Sequence, residues 1–261
     1  MKKLISIVTT ISILIGVFSQ TPINALSQED LYNKFLEETG MPIEEIMAMD
    51  EAEKEIVYNT LAKDESIKYV NSSLLSTEGK IKAETDEVSV VPYGMISSSD
   101  LEISVKCWMN GDKLKIYPSY EWKKPIKPKG KDSFAYTTTN SYSIVPNVRS
   151  NNVFWKDDWQ TYGKWLKMGT LDYSSVGLSG YTHQGQSLGN FYNSAYVKAY
   201  CHYAVDIDSS NPVNKIFISY VHDTSGSGNL SYGISLGPLS ISITPYNSSV
   251  QYMTQAYYLN Y

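Results

Sequence analysis

Leu101, Ile103, Val105 and Cys107 alternate with Glu102, Ser104, Lys106 and Trp108. A period of two marks a strand with one buried face. Asn110-Gly111 follows, a pair suited to a two-residue hairpin turn with positive φ at both positions. A turn there predicts Cys107 opposite Leu114 and Val105 opposite Ile116, with Lys106 against Lys115 and Trp108 against Lys113. Apolar side chains then meet on one face and polar ones on the other, so turn chemistry and parity agree.

The pattern recurs down the chain. Val197, Ala199, Cys201, Tyr203, Val205 and Ile207 share one phase, and Tyr196, Lys198, Tyr200, His202 and Asp206 the other. Asn211-Pro212 breaks that run, and Ile216, Ile218 and Tyr220 line an expected return strand that sets His202 opposite roughly residue 218. Leu230, Tyr232, Ile234 and Leu236 alternate with Ser and Gly, and after Gly237-Pro238 so do Leu239, Ile241 and Ile243 with Ser and Thr. With a last strand over 250–260 and further ones near 134–145 and 164–172, the expectation is about 8–10 strands. They form an antiparallel β-sandwich, or a barrel-like relative, over residues 100–261.

The start of the chain reads differently. Lys2 and Lys3 precede Leu4 to Phe18, an uncharged run, and Ile23-Asn24-Ala25 offers a small residue at a cleavage point. That layout predicts a signal peptide over 1–25 and a secreted, bacterial-type protein. The run is shorter than the roughly 20 residues a spanning helix needs; the alternative is an uncleaved anchor. Residues 26–65 form an acidic helical segment: twelve acids face Lys34, Lys54 and Lys63. Ser27 and Asp50 are placed as N-caps, Gly40 as a stop and Pro42 as a helix start. Residues 66–99, rich in Ser, Thr, Lys and Glu, read as a linker. The segment from 26 to 65 carries about −9 and residues 66–261 about +2, so attraction between them is expected.

Net charge is −5, which gives no basic signature for nucleic acid. Membrane contact is expected only through the signal peptide. Two cysteines exclude a disulfide-dense miniprotein and a four-cysteine zinc module. Cys107 and Cys201 both fall on apolar phases, and in an exported chain a disulfide between them is the default; the alternative is two separate buried thiols. His183, His202 and His222 lack metal-ligand spacing, and Asp206, Asp208 and Asn211 lack the glycine and terminal glutamate of a calcium loop. No metal and no cofactor is expected. No nucleophile elbow is present, and no catalytic residue is assigned.

Val153 to Trp165 holds three of the five tryptophans. Trp155, Trp159 and Tyr162 stand near helical spacing, so one helical turn would present an aromatic stripe beside Asp158. That stripe is the candidate ligand site, a platform for a sugar or another flat ligand; the alternative is an anchor of a β–β connection to the core. Lys123, Lys124, Lys127, Lys129 and Lys131 form a basic loop, suited to an anionic surface or to the acidic segment of the same chain. The leading function reading is a non-catalytic binding module for an extracellular, cell-surface polymer or protein partner. The alternatives are an extracellular hydrolase with carboxylates in a Trp-rich cleft and a membrane-active β-toxin.

Overall fold

The structure is a computed structural model and describes residues 27–74, 94–126, 131–139, 144–158, 160–173, 175–176, 180–186, 194–207, 213–225, 232–236 and 241–260. The expected signal peptide lies outside them. Three helices come first: α1 (Gln28–Glu38), α2 (Ile43–Ala48) and α3 (Glu51–Leu61). Ser27 closes a capping box with Asp30, its Oγ accepting from Asp30 N at 3.1 Å. Asp50 Oδ1 accepts from Glu53 N at 3.0 Å and caps α3. Gly40 stops α1 at φ +86°, a backbone conformation that favours glycine.

Thirteen strands follow among the described residues, mostly antiparallel as expected. One half of the main sheet contains β2 (Leu101–Asn110), β3 (Lys113–Trp122), β9 (Tyr196–Asp206), β5 (Ile144–Lys156) and β6 (Leu166–Gly169). The other contains β13 (Val250–Asn260), β10 (Lys215–Asp223), β4 (Asp132–Thr138), β8 (Gly180–Gln186) and β7 (Ser175–Val176). Strand β1 (Lys68–Leu74) joins them. Its residues Lys68–Val70 pair with β2 and Asn71–Leu74 with β13, so a single strand turns the corner between layers. The first part of the stretch read as a linker is therefore structural. A separate ribbon pairs β11 (Tyr232–Leu236) with β12 (Ile241–Pro245).

The apolar phases meet between the layers. Leu101, Ile103, Val105 and Cys107 of β2 pack with Val197, Ala199, Cys201 and Tyr203 of β9 against Phe134, Tyr136, Ile216, Ile218 and Tyr220. The β2–β3 hairpin departs from the expected register. Cys107 faces Ile116, Lys106 faces Tyr117 and Trp108 faces Lys115, because the turn residues are Gly111-Asp112. Only Gly111 has a positive φ, at +61°, as in a turn with glycine at its first central position. The shift is two residues, so every side chain keeps its face. The expected β9–β10 hairpin is also absent: β9 pairs with β3 and β5, and β10 with β4 and β13. The two strands therefore belong to different layers.

Cys107 and Cys201 are free thiols, both buried. The expected disulfide fails on topology, because β3 runs between β2 and β9. At about 4.8 Å per strand their backbones stand roughly 10 Å apart, beyond the about 7 Å a disulfide spans. Burial pushes the Cys201 thiol up to about 12, and Cys107 is raised by the same cause.

The acidic helices dock on the outer face of the sheet. Leu36, Met41, Ile46, Met49, Val57, Leu61 and Ile67 pack with Trp108 and Tyr117, two residues on the polar phases of β2 and β3. Trp108 Nε1 donates to Thr39 Oγ1 at 3.1 Å, so the indole is buried with its polar atom satisfied. Trp108→Ala is expected to cost about 3–5 kcal/mol, read by urea unfolding of the full chain. Thiol-specific alkylation checks the cysteines: neither is labelled in the folded protein, both are labelled in denaturant, and adding a reductant changes nothing.

Candidate functional site

Where the helices meet the sheet they leave a cleft of about 410 Å³. Asp50 and Glu53 line it from the helical side. Glu102, Ser104 and Lys106 of β2, Ser119, Glu121 and Lys123 near β3, Tyr200 of β9 and Trp165 complete it. These strand residues belong to the polar phase, which the alternation aims away from the core.

The charges in the cleft are paired. Lys106 Nζ lies 2.6 Å from Glu53 Oε1, and Lys123 Nζ lies 2.6 Å from Glu102 Oε2 and 3.6 Å from Glu121 Oε1. Asp50 Oδ2 contacts the Lys198 ammonium and accepts from Tyr200 Oη at 2.5 Å. Burial alone would raise the Asp50 pKa, but the hydrogen bonds from Lys198 and Tyr200 hold it below the ordinary value. Lys198 has only 1% of its side chain exposed; burial lowers its pKa and Asp50 offsets part of that fall. The ammonium sits 4.1 Å from the Trp165 ring centre and 5.4 Å from that of Tyr200, a cation held against aromatic faces. Lys156 Nζ lies 4.6 Å from the same indole. Farther along the interface Lys115 pairs with Asp64.

The expected aromatic stripe does not form on a helix. Trp155 is in strand β5, opposite Val197, so it shares the phase of buried Val153 while Phe154 and Lys156 share the face of Lys198. Asp157 is buried and its Oδ1 accepts from Gln160 N at 2.6 Å and Thr161 N at 2.9 Å, which ties 160–161 back to the end of β5. Asp158 is exposed, and Tyr162 is 85% exposed at φ +52°. Trp159 lies outside the described residues. Of the described aromatic residues of this segment, Trp165 lines the cleft. The roles of Lys198, Asp50 and Lys106 were missed, although their outward phase and the −9 segment together carried the signal.

The histidines are separated, and among the described residues no group of three or more His, Cys, Asp or Glu is placed to hold a metal. Of the calcium-like run, Asp208 and Asn211 lie outside the described residues; of the basic loop, Lys127 and Lys129 do. His202 is buried under the helices and stacks on Tyr117 at 4.5 Å, and burial lowers its pKa to about 3. His183 Nε2 meets Tyr136 Oη at 2.9 Å, and burial lowers its pKa to about 4. Burial would also lower His222, but Asp132, 2.9 Å from its Nδ1, raises it.

No protein-family model matches the chain, and no curated protein matches it in sequence. Among solved structures, the collagen-binding subdomain of the Enterococcus faecalis surface protein ACE is similar over 57% of this chain and 87% of its own, with 9% identity and a TM-score of 0.30. The pilus backbone RrgB of Streptococcus pneumoniae is similar over 73% of this chain and 82% of its own, with 8% identity and a TM-score of 0.29. The collagen-binding domain of the Erysipelothrix rhusiopathiae surface protein RspB is similar over 62% and 59%, with 8% identity and a TM-score of 0.27. Likeness at this level carries no argument about function.

The histidines give a signed pH dependence. Unfolded histidines bind protons below about pH 6.5, whereas His183 and His202 in the folded protein stay neutral until about 4 and about 3. Their contribution is therefore complete above pH 6.5 and is lost as pH falls, on the order of 3 kcal/mol for His183 and about 5 kcal/mol for His202 over the full window. His222 has the opposite sign, since its folded pKa is raised: its contribution is fully present below 6.5 and is lost as pH rises through the raised folded pKa. Urea unfolding between pH 7 and pH 5 is expected to show falling stability, with a shallower slope in His202→Gln and a steeper one in His222→Gln.

Proposed function

We propose that the protein is a secreted binding module for an extracellular polymer or protein partner, exported by residues 1–25, and that its primary contact surface is the Trp165 cleft with the adjoining 157–164 loop. The observation that carries this reading is the pairing within the cleft. Asp50, Glu53, Glu102 and Glu121 each have an ammonium partner, and Asp50 is held below its ordinary pKa. A general acid needs a carboxyl group kept protonated near neutrality, and paired carboxylates serve that role poorly. They serve recognition well, since carboxylates accept and ammonium and serine groups donate hydrogen bonds to a polar ligand. Tyr162 adds an exposed ring on a loop tied back by buried Asp157.

Retention of the mature protein on insoluble cell-wall material tests the reading. Tyr162→Ala, which removes an exposed side chain, is expected to weaken retention about 5- to 10-fold with the melting temperature unchanged, as loss of an interface aromatic does. Trp165→Ala is expected to lose more. Unchanged retention in both variants removes the cleft and loop from the binding surface, and release of soluble fragments from the polymer by the wild-type protein overturns the non-catalytic reading.

A further inference from the structure

Arg149 is the only arginine among 22 basic residues. It stands on β5 opposite Tyr203, on the phase shared with Asn151 and Val153. That phase is buried at Asn151 and Val153, while Arg149 itself is exposed. The guanidinium carbon lies 4.3 Å from the Tyr173 ring centre and 5.6 Å from that of Tyr181. Stacking of this kind fixes the plane of the fork while its N–H edge stays available. Among the described residues no carboxylate forms a salt bridge with it.

Arg149 borders a groove of about 470 Å³, with Ser150, Asn152, Thr170, Asp172 and Tyr173 in its lining. The groove is braced rather than loose. The Asn151 side chain accepts from Leu171 N at 2.5 Å and donates to Leu171 O at 3.0 Å, tying the 170–173 segment to β5. His183 Nδ1 meets Asp172 O at 3.1 Å.

We infer that this groove is a second binding site, for a carboxylate-bearing sugar unit of an acidic polysaccharide, with Arg149 gripping the carboxylate. A planar guanidinium matches a carboxylate with two parallel hydrogen bonds. The hydroxyl and amide groups of Ser150, Thr170 and Asn152 suit sugar hydroxyls. Asp172 on the same rim opposes any ligand with dense negative charge, which selects a single carboxylate over a phosphate dianion. No residue lining this groove lines the Trp165 cleft, so the two fail independently: Trp165→Ala leaves this site intact.

Calorimetric titration of the mature protein with tetragalacturonate, and with the same oligomer methyl-esterified, provides the test. The acid is expected to bind and the ester to bind at least about 10-fold more weakly, the loss expected for a charge-assisted pair. Arg149→Gln is expected to reproduce that loss, and Arg149→Lys, which keeps charge without the fork, to lose part of it. Equal binding of acid and ester, or unchanged binding in Arg149→Gln, overturns the site; so does tetraglutamate or inorganic phosphate binding as tightly as the acid sugar. If Arg149→Gln fails to fold, the comparison of acid and ester on the wild-type protein decides alone.

Discussion

The architecture depends on the double pairing of β1. Its first residues complete the ladder of β2 and its last ones that of β13, so backbone hydrogen bonds run without a break from one layer to the other. Without that corner each layer would present an unpaired edge there. Because α3 ends at Leu61 and β1 begins at Lys68, the same strand also delivers the helices to the outer face of the sheet. Ser72 Oγ donates to Val105 O at 3.0 Å and ties the corner to β2.

The helical segment is held by two kinds of contact with different consequences. The apolar cluster around Trp108 and Tyr117 supplies the burial. The ion pairs Glu53–Lys106, Asp64–Lys115 and Asp50–Lys198 fix where the helices sit. Taking such pairs out of water costs most of what their attraction returns, so they contribute more to register than to stability. They also shape the cleft, because Asp50 and Glu53 are at once docking groups and cleft walls. Three helices of this size bury too little core alone, and the polar phase of β2, β3 and β9 is what they lack.

The two candidate sites have no lining residue in common. The Trp165 cleft is built on the outward phase and is crowded with compensated charge. The Arg149 groove takes residues from both phases of β5 and sets one guanidinium and the Asp172 carboxylate in the same lining.

Much of the fold was legible from local chemistry. Alternation is a property of the strand itself, so the inward positions of Val105, Cys107, Val197 and Cys201 followed from parity. Parity also survived the two-residue shift in the β2–β3 register. The caps at Ser27 and Asp50 and the stop at Gly40 are contacts within a few residues, and they stand where the residue types put them. What only the tertiary structure decided is which strands are neighbours. Nothing local says that β3 separates Cys107 from Cys201, that β9 and β10 lie in different layers, or that β1 turns a corner. The same holds for the outward phase: Trp108, Lys198 and His202 occupy polar positions by parity, yet they are buried because distant helices cover them. Sequence spacing encodes the face a side chain takes; what comes to rest on that face is set by pairings and docking between residues far apart in the chain.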